Sequence, residues 1–180
     1  MSARTVTEDD QILAALAAAM VQQPRASLQE LAKAIGISKA TLYRFCRTRE
    51  ELEQRLFTHA MAALDQAIKT AGLEALPPIE ALKQLNTNFL QHSELTSFLT
   101  YFWKPEDNCD VNGCLAVLDA FFLRGQQAGA FRIDVPAPAL SEIWSGLITS
   151  LVDAERRGRI AKSGLKDLME RTFLRGVAAP

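Results

Sequence analysis

The chain is poor in the residues that catalysis and metal binding draw on. It has 3 cysteines and 2 histidines in 180 residues, too few and too scattered for a ligand set. Cys46, Cys109 and Cys114 show no CxxC spacing and no histidine cluster beside them. No metal and no cofactor is expected, and the odd cysteine count fits a reducing cytoplasm better than a disulfide framework. A thiol sensor at Cys109 or Cys114 is the redox reading that stays open. His59, alone on a helical stretch, reads as a partly buried spacer. GxSxG, HExxH, a phosphate-cradling glycine loop and a carboxylate pair are all missing, so an enzyme has no residues to stand on. No apolar run approaches the roughly 20 residues that cross a bilayer, and no signal peptide is present; a cytoplasmic location is expected. Charge of one sign is lacking as well. At a net charge of −1, attraction for a polyanion has to come from a local patch, not from a global field.

What is present is helical periodicity, with no hairpin signal, repeat or low-complexity tract. The most informative stretch is Ser27 to Glu51. Ser27 and Glu30 make a capping box, and Leu28, Leu31, Ala32 and Ile35 follow on one helical face. Gly36 comes next, a residue able to enter a left-handed turn without a Cβ clash. Ser38 caps a second helix whose apolar residues are Ala40, Leu42 and Phe45. Ala32, a turn before the glycine, is small enough for two helices to cross closely. These spacings describe a helix-turn-helix. Its outer face carries Lys39, Arg44, Arg47 and Arg49 with no acid among them, and Thr41 and Tyr43 add hydroxyls. Such a face fits a major groove, with phosphate neutralisation supplying most of the affinity. The DNA-facing set is therefore Ser27, Ser38, Lys39, Ala40, Thr41, Tyr43, Arg44, Arg47 and Arg49; the competing reading is a solvated charged surface on a helical bundle.

The run LAKAIGISKATLYRFCRTREEL resembles the DNA-binding motif of the tetracycline-repressor (TetR) family. Leu31, Ala32, Gly36, Ile37, Ser38, Thr41, Leu42, Tyr43, Phe45, Glu50 and Leu52 match the family pattern. Two positions depart from it. Cys46 stands where Phe is usual, leaving a smaller apolar plug, and Arg49 stands where Lys is usual, preserving the charge. The motif covers about a quarter of the chain. The resemblance implies a ligand-responsive regulator, more a repressor than an activator, binding a palindromic operator as a homodimer.

Around this motif the chain reads as about nine helices in an all-α fold. Residues 1–47 form the DNA-binding domain and 48–180 a helical sensing and dimerisation domain, with helix 48–71 connecting them. Met1 to Val6 is a polar arm whose Arg4 can reach a phosphate. Thr7 caps the first helix, whose stripe is Ile12, Leu13, Leu16 and Met20. The connecting helix, opened by a capping box from Thr48 to Glu51 and stopped by Gly72, is long enough to act as a stiff rod, about 30 Å. Pro77-Pro78 opens the next helix, Ser93 caps another, and a further one runs from about Val111 to Gly129.

The second half is dense in aromatics. Phe89, Phe98, Tyr101, Phe102, Trp103, Phe121 and Phe122 either line a cavity, with His92 and Asn108 as polar handles, or fill a helical core. The resemblance implies a small apolar or aromatic inducer there. After a loop at Phe131 to Pro138, the two last helices, Ala139–Arg157 and Leu165–Arg175, combine a bulky stripe with small faces. Trp144, Leu147, Leu151, Leu168 and Phe173 are the candidate dimer contacts, and the resemblance places a four-helix interface at this pair. Burial of both faces within one monomer is the alternative. The competing function is an interaction protein of the same fold, anchored to DNA without small-molecule control.

Overall fold

The computed structural model describes residues 7–103 and 111–177; Arg4, Asn108 and Cys109 lie outside the described residues. Nine α-helices and no β-strand are found among them. In chain order they are α1 Glu8–Gln22, α2 Leu28–Ala34, α3 Lys39–Phe45, α4 Arg49–Lys69, α5 Pro78–Leu90, α6 Ser93–Phe102, α7 Val111–Gln127, α8 Ala137–Arg156 and α9 Leu165–Val177. No helix of the described residues is long and apolar enough to cross a membrane. The all-α class expected from the periodicity is the class observed.

The helices form two compact units, one of residues 7–63 with 92–103, the other of 64–91 with 111–177. In the first unit, α1 packs along α6 and α2. Leu13, Leu16, Ala17 and Met20 on α1 are buried, as are Leu95 and Phe98 on α6. Phe98 stacks on Phe102 with ring centroids 5.0 Å apart. Spatially, then, α6 belongs with α1, although chain order put it in the second half. Periodicity shows that a helix has an apolar face but not which partner covers it.

The second unit is built on aromatic packing. Phe122 meets Phe121, Phe131 and Phe173 at 5.0, 5.4 and 5.8 Å. Trp144 of α8 takes Phe89 of α5 edge-on at 4.9 Å, and its Nε1 donates to Asn86 Oδ1 at 2.8 Å. Asn88 Nδ2 donates to the Ala67 carbonyl at 2.9 Å, tying α5 to the last turns of α4. That carbonyl is one of those left over at a helix end, so the side chain replaces a lost backbone partner.

Helix ends follow local chemistry with three differences from the sequence reading. His92, not Ser93, is the N-cap of α6, and no side chain caps it. Glu51 N does donate to Thr48 Oγ1 at 3.1 Å, but the Glu51 carboxylate accepts from Arg47 N at 2.6 Å instead of closing the box. The last of the expected loop residues are helical, since α8 starts at Ala137 behind Pro136, and prolines suit a first turn whose N–H groups have no partner.

Gly125, in the middle of α7, is there because of a ring. A Cβ built on it would overlap the Cδ2 and Cε2 atoms of Phe131. Gly125→Ala should therefore destabilise the protein by about 1–3 kcal/mol in urea unfolding, against the helix propensity that favours Ala. An unchanged or raised midpoint would show that Phe131 moves aside freely.

Candidate nucleic-acid interface

The helix-turn-helix is assembled from backbone needs first. Ser27 N donates to Glu30 Oε2 at 2.7 Å and Glu30 N to Ser27 Oγ at 3.3 Å, closing the capping box of α2. Those bonds from Ser27 hold the Glu30 carboxyl below its usual range. At the other end Gly36 takes φ +75°. Ile37 N then reaches the Ala32 carbonyl at 3.0 Å and Gly36 N the Lys33 carbonyl at 3.2 Å. This is a Schellman closure, which satisfies two terminal carbonyls and turns the chain into α3. Ala32 is buried at the crossing.

Helix α3 puts Leu42 and Phe45 inward, with Cys46 buried just beyond. Lys39, Ala40, Tyr43, Arg44 and Arg47 are exposed on the outer side. Lys39 Nζ lies 5.2 Å over the Tyr43 ring, a cation–π pair at i, i+4 that keeps the phenol outward. Arg44 Nη2 stands 3.1 Å from Asp9 Oδ1 at the start of α1. Thr41 N donates to Ser38 Oγ at 3.0 Å, and the two hydroxyls are 2.9 Å apart. Ser27 and Ser38 thus work as N-caps. Burial pushes the Cys46 thiol up, with Glu51 adding to the effect, so it is not a ready thiolate.

Arg49 is placed differently from the other cations. Its Nη1 donates to the Ala26 carbonyl at 2.6 Å, its Nη2 to the Pro24 carbonyl at 2.7 Å, and its Nε to Glu53 at 3.1 Å. The guanidinium is turned into the loop between α1 and α2, where it serves two backbone acceptors. Arg55, not singled out from sequence, has a companion role. Its Nη1 donates to the Phe45 carbonyl at 3.1 Å, and its guanidinium lies 4.9 Å over the Phe45 ring. It closes the C-terminus of α3 beside the small Cys46. The signal was faint in sequence: two arginines six apart on α4, aimed by the fold.

The aromatic set divides between the units. His92 (half-buried), Phe98 and Phe102 lie in the first, with Tyr101 and Trp103 exposed at the end of α6. Phe89, Phe121 and Phe122 are buried in the second. Burial lowers the His92 imidazole from its usual value. Of the candidate dimer residues, Trp144 and Phe173 are spent in the core of the second unit, whereas Leu147, Leu151 and Leu168 are half-buried. Ile143, Gly146 and Ser150 face outward on α8. Among the described residues no group of three or more His, Cys, Asp or Glu is placed to hold a metal ion.

Replacing Arg49 by Ala leaves the Pro24 and Ala26 carbonyls without these donors and should cost about 1–3 kcal/mol of stability. Arg49→Lys should recover only part, because one ammonium lacks the planar fork that serves three directions. Equal unfolding midpoints for Arg49→Ala and wild type would remove the clamp from this account.

No family model matches the chain. The HTH-type transcriptional regulator NfxB of Pseudomonas aeruginosa is 46% identical over 182 residues, with 97% of each chain covered. Among solved structures, the TetR family regulator PfmR of Thermus thermophilus superposes with TM-score 0.63 at 24% identity, covering 95% of this chain and 97% of that one. The ketosteroid regulator KstR2 of Mycobacterium tuberculosis gives TM-score 0.71 at 15% identity, with 98% of both chains covered. LfrR of Mycobacterium smegmatis, a TetR-like regulator in complex with proflavine, gives 0.65 at 20%, covering 94% and 95%. At these identities the structural likeness is one of fold, and the curated relative supplies the function. The chain is an HTH-type, DNA-binding transcriptional regulator, as NfxB is, and has the fold of TetR-family regulators.

Proposed function

We propose that the protein represses transcription as a homodimer on a palindromic operator and that a small apolar or aromatic ligand releases it. The observation that carries the DNA reading is the outer face of α3, where Lys39, Tyr43 and Arg44 stand exposed on a helix held from behind, with Arg47 exposed just beyond its end. Tyr43 meets a phosphate and Arg44 reaches a base. Arg49 is removed from the phosphate set by its carbonyl bonds. Residues 1–47 carry recognition, and the rest of the chain carries sensing and pairing.

One recognition helix selects too few base pairs to find a site in a genome, so two heads must be held together. The outward face of α8 at Ile143, Gly146, Leu147, Ser150 and Leu151, with Leu168 on α9, is the proposed two-fold surface. Ligand sensing draws support from Asn86. It is fully buried, and its Oδ1 is occupied by the Trp144 indole, which can only donate. Its Nδ2 is therefore turned elsewhere, and it has no partner. A ligand acceptor seated in the second unit would satisfy it. LfrR holds proflavine, a precedent for a planar aromatic ligand on this fold.

Three measurements test this reading. Lys39 and Arg47 of two protomers neutralise about four phosphates, so log affinity against log salt should have a slope near −4. A slope near zero would make the cationic face mere solvated surface. Gly146→Glu, a charge placed where a Cβ meets open space, should leave the chain helical yet monomeric in sedimentation and unable to bind operator specifically. A dimer that still binds would move the interface. Saturating operator should weaken ligand binding by the same factor by which ligand weakens operator binding. Ligand affinity unaffected by operator would end the coupling.

A further inference from the structure

One ion pair on the recognition side joins residues 35 positions apart in the chain, Arg44 on α3 and Asp9 on α1. The side chains are 64% and 53% exposed, a setting in which ion pairs add little stability. Its geometry matters more. Asp9 sits in the first turn of α1, where the backbone is fixed by reciprocal bonds between Thr7 and Asp10. The Arg44 guanidinium also lies 5.4 Å over the ring of Phe45, itself buried. One corner of the fork is thus held by a carboxylate and one face by an aromatic ring. A guanidinium has five N–H donors, and the bond to Asp9 uses Nη2, leaving donors for an acceptor pair such as guanine O6 and N7.

We propose that Asp9 is a positioning residue for DNA recognition: it holds the Arg44 guanidinium so that Arg44 reads a base edge and is kept from the phosphates. This rests on the reading that Arg44 reaches a base. A free arginine on a flexible stem is drawn to any phosphate and strengthens binding to every sequence alike. Paired with a carboxylate it is locally neutral, releases no counterion, and the carboxylate itself repels the backbone. Both effects weaken non-specific binding, while the base contact keeps the specific complex. Asp9 thus lowers the affinity for wrong sites more than for the right one.

The test uses the full-length protein, a duplex selected from a random library by wild type, its single-base variants, and a scrambled duplex of equal length. Asp9→Asn keeps the side-chain size and removes the charge. It should bind the scrambled duplex more tightly, with a salt slope steeper by about 2 as two freed Arg44 side chains each take a phosphate. It should also lose about tenfold of its preference at the base pair that Arg44→Ala identifies. Asp9→Glu, which keeps the charge, should retain more of that preference than Asp9→Asn. In an Arg44→Ala background, Asp9→Asn should have no effect on preference, because Asp9 acts through Arg44. A rise in affinity by one common factor on all duplexes would overturn the proposal and leave Asp9 a plain surface charge. A preference change that persists without Arg44 would overturn it too, making Asp9 a direct reader. If Arg44→Ala itself shifts no base preference, the base contact fails first, and the inference falls with it.

Discussion

The recognition head depends on leftover carbonyls finding donors. Helices α2 and α3 have seven residues each, far short of the length at which a helix persists alone in water. More than half of the backbone N–H and C=O groups in such a helix lie at an end and lack an internal partner. The molecule answers from outside the motif. Ser27, Ser38 and Gly36 serve the ends locally, and α4 sends Arg49 to Pro24 and Ala26 and Arg55 to Phe45. The outer face of α3 is held in place because two cations of α4 donate to carbonyls of the motif.

This changes the meaning of charge in the motif. A run of four cations with no acid reads as one electrostatic patch, but the folded chain gives its members different work. Arg49 is structural, Arg44 is paired with an acid from another helix, Lys39 supports Tyr43, and Arg47 stands outward. With a net charge of −1 there is no background field to compensate for a misplaced cation. What each cation can reach is set by the partner that the fold gives it, not by its presence in the run.

The second unit follows a different rule. Its interior is a set of rings meeting at tilted and edge-on angles, with one indole hydrogen-bonded to a buried amide. Rings in such contact fix one another's orientation. Asn86 Nδ2 and Arg124 Nε are buried in this unit without a partner, and buried donors of this kind raise the free energy of the folded state.

Sequence by itself determined the helices and the motif. Caps at Thr7, Ser27 and Ser38, left-handed glycines at 36 and 72, and the 3.6-residue stripe all act within a few residues, so they are legible one stretch at a time. It also singled out α3 as the helix expected to face DNA. Tertiary structure alone decided which unit α6 joins, that Trp144 and Phe173 turn into their own core, and that Arg49 serves carbonyls instead of phosphates. A stripe or a cation announces that a side chain needs a partner. Which partner it finds depends on groups brought near from 25 or 35 residues away, as Pro24 is to Arg49 and Asp9 to Arg44, and no local pattern encodes that distance.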